Sequence, residues 1–228
     1  MKKSVFLTVI LFVLSVLQGY AQIKDVFTFN KSGVVTNSYF MDNPNDLYKV
    51  EDECYTIKKS YVEKYNGAEY TIDLLYFSDE SNETFYYDAI VIKRKSDNKV
   101  ILKTGGTYGT MYFNIENLTA WQSKAPYLML PLDDESFALF FAGLLYTGDE
   151  APEMMIIVVR GNEAKVVFDK KAYVYKYTPY PNYSAEYVED IEWFMTQPDV
   201  MPPASVFNKL KRFKIWQEGN ILKYKPLN

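Results

Sequence analysis

Carboxylates are the side chains in this sequence best able to do acid–base chemistry, because the chain contains no histidine and a single cysteine, Cys54. This composition excludes Ser-His-Asp and Cys-His catalysis and the common histidine-ligated zinc sites. Cys54 alternates with its neighbours in ECYTIKK, a pattern typical of a small, buried strand residue. We therefore expect an inert thiol rather than a nucleophile.

A glycosidase mechanism needs no histidine, only two carboxyl groups roughly 5 to 10 Å apart. Asp73 and Asp88 are the candidates for such chemistry, since each lies mid-strand among apolar residues and a buried carboxylate is costly unless it is paired. No motif selects a pair from the 29 acidic residues. The acidic clusters at Asp133–Glu135 and Asp149–Glu150 are expected to be solvated loops at opposite ends of one strand. A carboxylate-dependent, glycosidase-like hydrolase is thus an alternative function.

Aromatic residues are the compositional outlier, with 21 Tyr, 15 Phe and 3 Trp. Most are expected to fill the core, but Tyr and Trp also form flat amphipathic surfaces suited to sugars or protein partners. The candidate ligand-binding residues are Trp121 and Tyr127, which flank the predicted loop WQSKAPY, Tyr175 and Tyr177 in KKAYVYKYTPYPNY, and Trp216 in the last hairpin. We expect a non-enzymatic binding or interaction module that holds a glycan or a protein through an aromatic surface.

Period-two alternation predicts the elements that position these residues. In EYTIDLLYF and TFYYDAIVIKRK, both faces of the predicted strand carry apolar groups, so both faces need cover. Turn residues predict hairpins at Ser96–Lys99, at Gly161–Asn162 and at Glu218–Asn220.

The uncharged stretch Phe137–Tyr146 is too short to cross a membrane, which takes about 20 residues. It predicts a buried strand with a bulge at Gly143, paired with MMIIVVR; a buried helix is the alternative. Helical spacing of Tyr187, Ile191 and Phe194 predicts a helix over 184–197, and two further turns are expected over 205–212. The predicted fold is mainly β: an antiparallel β-sandwich or partly closed sheet with one or two short C-terminal helices. A propeller-like or barrel arrangement is the alternative.

The first residues have the layout of a secretory signal peptide, with Lys2 and Lys3, an apolar run, and small residues at Gly19 and Ala21. Residues 1–21 are therefore expected to direct export to the periplasm, the cell surface or the medium. Residues 22–228 are expected to form a single β-rich domain without a cofactor or membrane span, with residues 22–55 as a loose N-terminal arm. A structural role in the cell envelope is the second alternative.

The net charge of −4 disfavours nucleic acid as a partner. The charge is uneven, since Ser205–Asn228 holds six basic residues and one acidic residue. A solvated face is the expected explanation of this basic segment, and docking to an anionic surface is the alternative.

Overall fold

The computed structural model describes residues 22–36, 40–41, 56–76, 89–105, 127–144, 152–189 and 202–228. These residues form 16 strands and one short helix. The strands of the first half are β1 (Lys24–Asp25), β2 (Thr28–Phe29), β3 (Val35–Thr36), β4 (Phe40–Met41), β5 (Thr56–Tyr65), β6 (Ala68–Tyr76), β7 (Ala89–Arg94) and β8 (Lys99–Gly105). The second half contains β9 (Leu128–Asp133), β10 (Ser136–Leu144), β11 (Pro152–Arg160), β12 (Glu163–Lys171), β13 (Tyr173–Thr178), β14 (Ser184–Val188), α1 (Ala204–Phe207), β15 (Arg212–Glu218) and β16 (Ile221–Pro226).

Three larger sheets and one two-stranded ribbon organise these strands. The central sheet has the order β4-β12-β11-β10-β9, the C-terminal sheet β1-β16-β15-β14-β13, and the meander sheet β5-β6-β7-β8. Strands β2 and β3 form the ribbon. Every pairing is antiparallel except that of β4 with β12. Within the described residues no sheet closes on itself, so the expected sandwich-like architecture is confirmed.

The central sheet is covered on both faces, which makes the fold a stack of three layers. Phe140 and Ile156 pack in a core shared with the C-terminal sheet, where the Phe140 ring lies 4.8 Å from that of Tyr183. Phe137 and Ile157 pack in a second core shared with the meander sheet. Because neither face meets water, β10 and β11 need no polar alternation, which explains the uncharged stretch in the sequence.

The predicted hairpins are confirmed as β7–β8, β11–β12 and β15–β16. Gly161 and Gly219 adopt φ of 54° and 63°, which their tight turns require. The buried strand opposite MMIIVVR is also confirmed, but the expected bulge at Gly143 is wrong, since that residue pairs in register with Glu153. The register of β10 instead shifts between Ser136 and Phe137, beside the turn from β9.

The helix expected over 184–197 is wrong at its start, because residues 184–188 form β14. Tyr183, Ala185 and Tyr187 alternate into the core, and the two phenol oxygens lie 2.9 Å apart. This alternation competed with the helical spacing in the sequence and prevailed because the neighbouring sheet supplied partners. Residues 190–201 lie outside the described residues. A short helix near the C-terminus is confirmed as α1, but the two turns expected over 205–212 are wrong in extent, because the helix ends at Phe207 and Arg212 already begins β15.

The expected loose arm at residues 22–55 needs correction in its described part. Val26 and Phe27 are fully buried, β1 pairs with β16, and β4 pairs with β12. The remainder of that range and the expected signal peptide lie outside the described residues. Among the helices that are described, none has the length and apolar character needed to cross a membrane.

Candidate functional site

Two of the five aromatic candidates point into the protein. Tyr127 is 1% exposed, and its hydroxyl donates to Glu63 Oε1 at 2.7 Å. Tyr177 packs against the core beneath the C-terminal sheet, with its ring 6.0 Å from that of Tyr183. We therefore remove Tyr127 and Tyr177 from the candidate surface. Trp121 lies outside the described residues.

The other two candidates, Tyr175 and Trp216, share the outer face of the C-terminal sheet. Trp216 follows the buried Ile215 in β15, so strand alternation turns the indole outward. The Tyr175 hydroxyl donates to Glu186 Oε2 at 3.0 Å, and Glu186 stands between buried residues of β14. The sheet thus brings together on one face residues that lie about 40 positions apart in the sequence.

The end of this face nearer Tyr175 is partly covered by α1. The ring of Phe207 meets Tyr175 edge-on at 4.9 Å, and the Arg212 guanidinium lies 5.0 Å over the Phe207 ring. These contacts leave Tyr175 half-buried. Trp216 is likewise half-buried but has a polar surrounding, with its Nε1 at 3.4 Å from Glu218 Oε2. The Trp216 end of the face therefore combines an aromatic ring with charged neighbours.

Charged side chains surround Trp216 in a defined register. Across β15 and β16, Trp216 pairs with Lys223 and Lys214 pairs with Lys225. Lys214 Nζ also lies 5.9 Å from the Trp216 ring centroid. We call these four residues the indole–lysine block. Sequence reasoning identified Trp216 and the basic excess of the C-terminal segment, but only the strand register showed that three lysines flank this ring.

Two lysines of the outer face have carboxylate partners. Lys176 donates to Glu186 Oε1 at 2.9 Å, and Lys223 donates to Asp25 Oδ1 at 2.7 Å. Burial opposes ionisation of Glu186, but hydrogen bonds from Lys176 and Tyr175 outweigh it and lower its pKa. The hydrogen bond with Asp25 raises the pKa of Lys223. The pKa shifts of Glu186 and Lys223 both favour the charged form of these two groups.

A cleft of about 500 Å³ lies at the end of the stack, among the turns that precede β3, β6, β10 and β12. Arg160 occupies its centre, with Nη1 at 3.1 Å from Asp133 Oδ2 and Nη2 at 2.5 Å from Glu135 Oε2. Its guanidinium also lies 4.5 Å over the ring of Phe29. The arginine thus joins the β2–β3 ribbon to the central sheet, which is a structural use of its charge.

Among the described residues, Asp133 and Asp73 do not have the environments of a glycosidase pair. Burial opposes ionisation of Asp133, but hydrogen bonds from Ser136, the Glu135 amide and Asn220, with the charge of Arg160, lower its pKa. A general acid needs the opposite shift. Asp73 is 2% exposed, accepts a hydrogen bond from Ser60, and pairs with Lys93 at 2.8 Å. Asp88 lies outside the described residues, and within those ranges no group of three metal-ligating side chains occurs.

Substitution of Gly33 tests whether the side chain of Arg160 is held rigidly by its ion pairs. A Cβ at Gly33, whose φ is +77°, would lie 3.1 Å from Arg160 Nε, whereas a Cβ at Gly67, with φ of +84°, would meet nothing within 4 Å. Gly67→Ala should cost about 1 kcal/mol through backbone strain alone. Gly33→Ala should cost more, because Arg160 cannot move without loosening its ion pairs. Urea unfolding of both variants measures the difference, and equal losses would show that Arg160 yields freely.

The outer face of the C-terminal sheet is therefore the candidate site. It holds two of the sequence-derived aromatic residues, and its indole–lysine block combines an accessible ring with several charged groups. In the cleft around Arg160, by contrast, the charged side chains pair with one another. Comparisons of this chain with models of known protein families, with curated proteins and with solved structures gave no match.

Proposed function

We propose that this chain is an exported, non-enzymatic binding module that holds a glycan on the outer face of its C-terminal sheet, with Trp216 as the stacking platform. The observation that supports this proposal is a half-buried indole on the outer face of the sheet, with Lys214 and Glu218 beside it. An indole face accepts the C–H side of a sugar ring, and the flanking polar groups can bind its hydroxyls.

The distribution of exposed apolar residues favours a glycan over a protein partner. Among the described residues, the exposed large hydrophobic side chains belong to five separate segments: Ile23, Val34, Val62, Val100 and Tyr180. A stable protein interface usually has a contiguous apolar centre. A single ring among hydrogen-bonding groups fits a sugar better, because each sugar residue presents one small apolar face and many hydroxyls.

Export follows from the N-terminal pattern of residues 1–21 and is part of the proposal. A chain with one cysteine outside the cell must be stabilised by its core rather than by intrachain disulfides. The two cores on either side of the central sheet supply such stabilisation. The fold is therefore compatible with an oxidising compartment although it contains no disulfide framework.

Replacement of the platform tests the proposal. A glycan array identifies a ligand, and calorimetric titration then compares the wild type with Trp216→Ala and Trp216→Phe. We expect Trp216→Ala to weaken binding at least about 10-fold, as for a central aromatic contact residue, and Trp216→Phe to retain most of the affinity. Val62→Ala, at an exposed position of β5 in the meander sheet, is the control and should bind like the wild type.

The result that would overturn the proposed surface is unchanged affinity in Trp216→Ala. Loss of binding in Trp121→Ala alone would place the site on the other predicted tryptophan. Retained binding in both variants would remove the aromatic platform altogether. An array without any bound glycan would reject the function itself.

A further inference from the structure

Two lysines, Lys214 and Lys225, lie opposite each other on neighbouring strands near Trp216. Lys214 stands between the buried Phe213 and Ile215, so it shares the outward face with Trp216. Lys225 is its direct cross-strand neighbour in β16. Like charges placed directly opposite each other on a sheet are destabilising. The sheet therefore places two like charges opposite each other next to the proposed platform, with Glu186 of β14 on the other side of Lys214.

The partners of the neighbouring lysines make this pair distinctive. Lys223 is neutralised by Asp25 at 2.7 Å and approaches Glu218 at 3.9 Å, and Lys176 is neutralised by Glu186. Within the described part of the chain, neither Lys214 nor Lys225 forms a salt bridge. On its other side, Lys214 stands directly opposite Glu186 of β14 and helps to lower the pKa of that carboxyl, but Glu186 already binds Lys176 and Tyr175. Among the described residues, the Lys214–Lys225 pair thus carries more positive charge than the neighbouring carboxylates neutralise.

We infer that the glycan is acidic, with the carboxylate of a uronic acid residue bound between Lys214 and Lys225 while a sugar ring stacks on Trp216. Side chains on one sheet face are spaced roughly 5 to 7 Å apart along and across the strands, a span that one or two sugar rings can cover. A uronic carboxylate is attached directly to the sugar ring, so it reaches a neighbouring ammonium group without displacing the ring from the indole. This inference rests on the glycan-binding role proposed above and adds its substrate class.

Polygalacturonate and its fully methyl-esterified form are matched probes, since they differ in the carboxylate charge but share the sugar backbone. We expect the wild-type protein to bind the acid polymer at least about 10-fold more tightly, with a difference that shrinks as salt screens the charges. The double variant Lys214→Gln, Lys225→Gln should lose this preference while keeping the weaker binding of the ester. Lys176→Gln, on the same face but already paired with Glu186, should change the preference by less than about 3-fold.

A second measurement does not depend on the ligand. The single variant Lys225→Gln removes the like charge opposite Lys214 and leaves Lys214 beside Glu186 and Trp216, so its thermal unfolding midpoint without glycan should equal or exceed that of the wild type. A lower midpoint would show that Lys225 is structurally required and would overturn the inference.

The binding outcomes separate this inference from the proposed function. Equal binding of both polymers, lost in Trp216→Ala, would reject the acidic ligand and keep the glycan role. Binding of neither polymer or any arrayed glycan would reject both. Equally tight binding of dextran sulfate that survives Trp216→Ala would indicate general polyanion attraction, which also overturns the inference.

Discussion

Replacement of either Ile156 or Ile157 by alanine will lower the free energy of unfolding by about 2 to 5 kcal/mol, although the two side chains point in opposite directions. Both residues are fully buried. Ile156 lies in the core beneath the C-terminal sheet, and Ile157 lies in the core beneath the meander sheet. In a two-layered sandwich, one of two adjacent strand residues faces solvent. A large loss of stability at both positions is therefore specific to a sheet that packs against another sheet on each of its faces.

Chemical denaturation of the two variants measures this effect. Val62→Ala, at a position 48% exposed, is the control and should stay within about 0.5 kcal/mol of the wild type. Where an alanine variant fails to fold, Ile156→Val and Ile157→Val serve instead, with expected losses of about 0.5 to 1.5 kcal/mol each. An unchanged free energy of unfolding at either position would show that one face of the central sheet does not pack against another sheet.

Stability will also fall steeply at alkaline pH, because buried phenols cannot ionise in the folded state. Tyr183 and Tyr187 are 1% exposed, and burial raises the pKa of both well above its ordinary value. Burial also raises the pKa of Tyr224 to about 12. Above about pH 10 the unfolded chain releases these protons while the folded chain retains them. The stability that these neutral, buried phenols contribute is therefore fully present below about pH 10 and is lost as the pH rises further.

The expected slope follows from the number of such phenols. Each one lowers the free energy of unfolding by about 1.4 kcal/mol per pH unit between its unfolded and folded pKa, so Tyr183 and Tyr187 together give about 3 kcal/mol per unit. Urea unfolding from about pH 8 to about pH 12 measures this slope. Tyr224 is less buried and should add a smaller loss in the same direction.

A double variant provides the control for the alkaline slope. The two hydroxyls are hydrogen-bonded to each other at 2.9 Å. Tyr183→Phe with Tyr187→Phe removes both partners together and should be nearly neutral at pH 7, whereas either single change leaves an unpaired buried hydroxyl and costs about 1 to 3 kcal/mol. The double variant should also lose most of the slope. An undiminished slope in that variant would assign the alkaline effect to other groups.

Local features of the sequence were sufficient to predict the hairpins. Gly161-Asn162 and Glu218-Gly219-Asn220 lie between alternating segments, and turn geometry depends mainly on the residues of the turn itself. The inward face of β6, with Ile72 and Leu74, also follows from simple alternation. The absence of histidine limited the chemistry in the same way, without reference to any fold.

The candidate site could be predicted only in part. The sequence identified Tyr175 and Trp216 as aromatic candidates, but it could not distinguish them from Tyr127 and Tyr177, whose side chains point into the protein. Alternation shows that neighbouring side chains lie on opposite faces of a strand, but it does not show which face another sheet will cover. Tyr177 packs against the core shared with the central sheet, whereas Tyr175 lies on the opposite face of the C-terminal sheet against α1.

By itself, then, the sequence determined the β-class, the turns and the chemistry that this chain lacks, because each depends on residue type and near neighbours. The tertiary structure decided that the central sheet is covered twice, that β14 replaces a helix, and that Lys214 stands opposite Lys225 beside Trp216. These features depend on contacts between segments far apart in the chain. Packing of one segment against another sets burial and register, and local propensity cannot encode either of them.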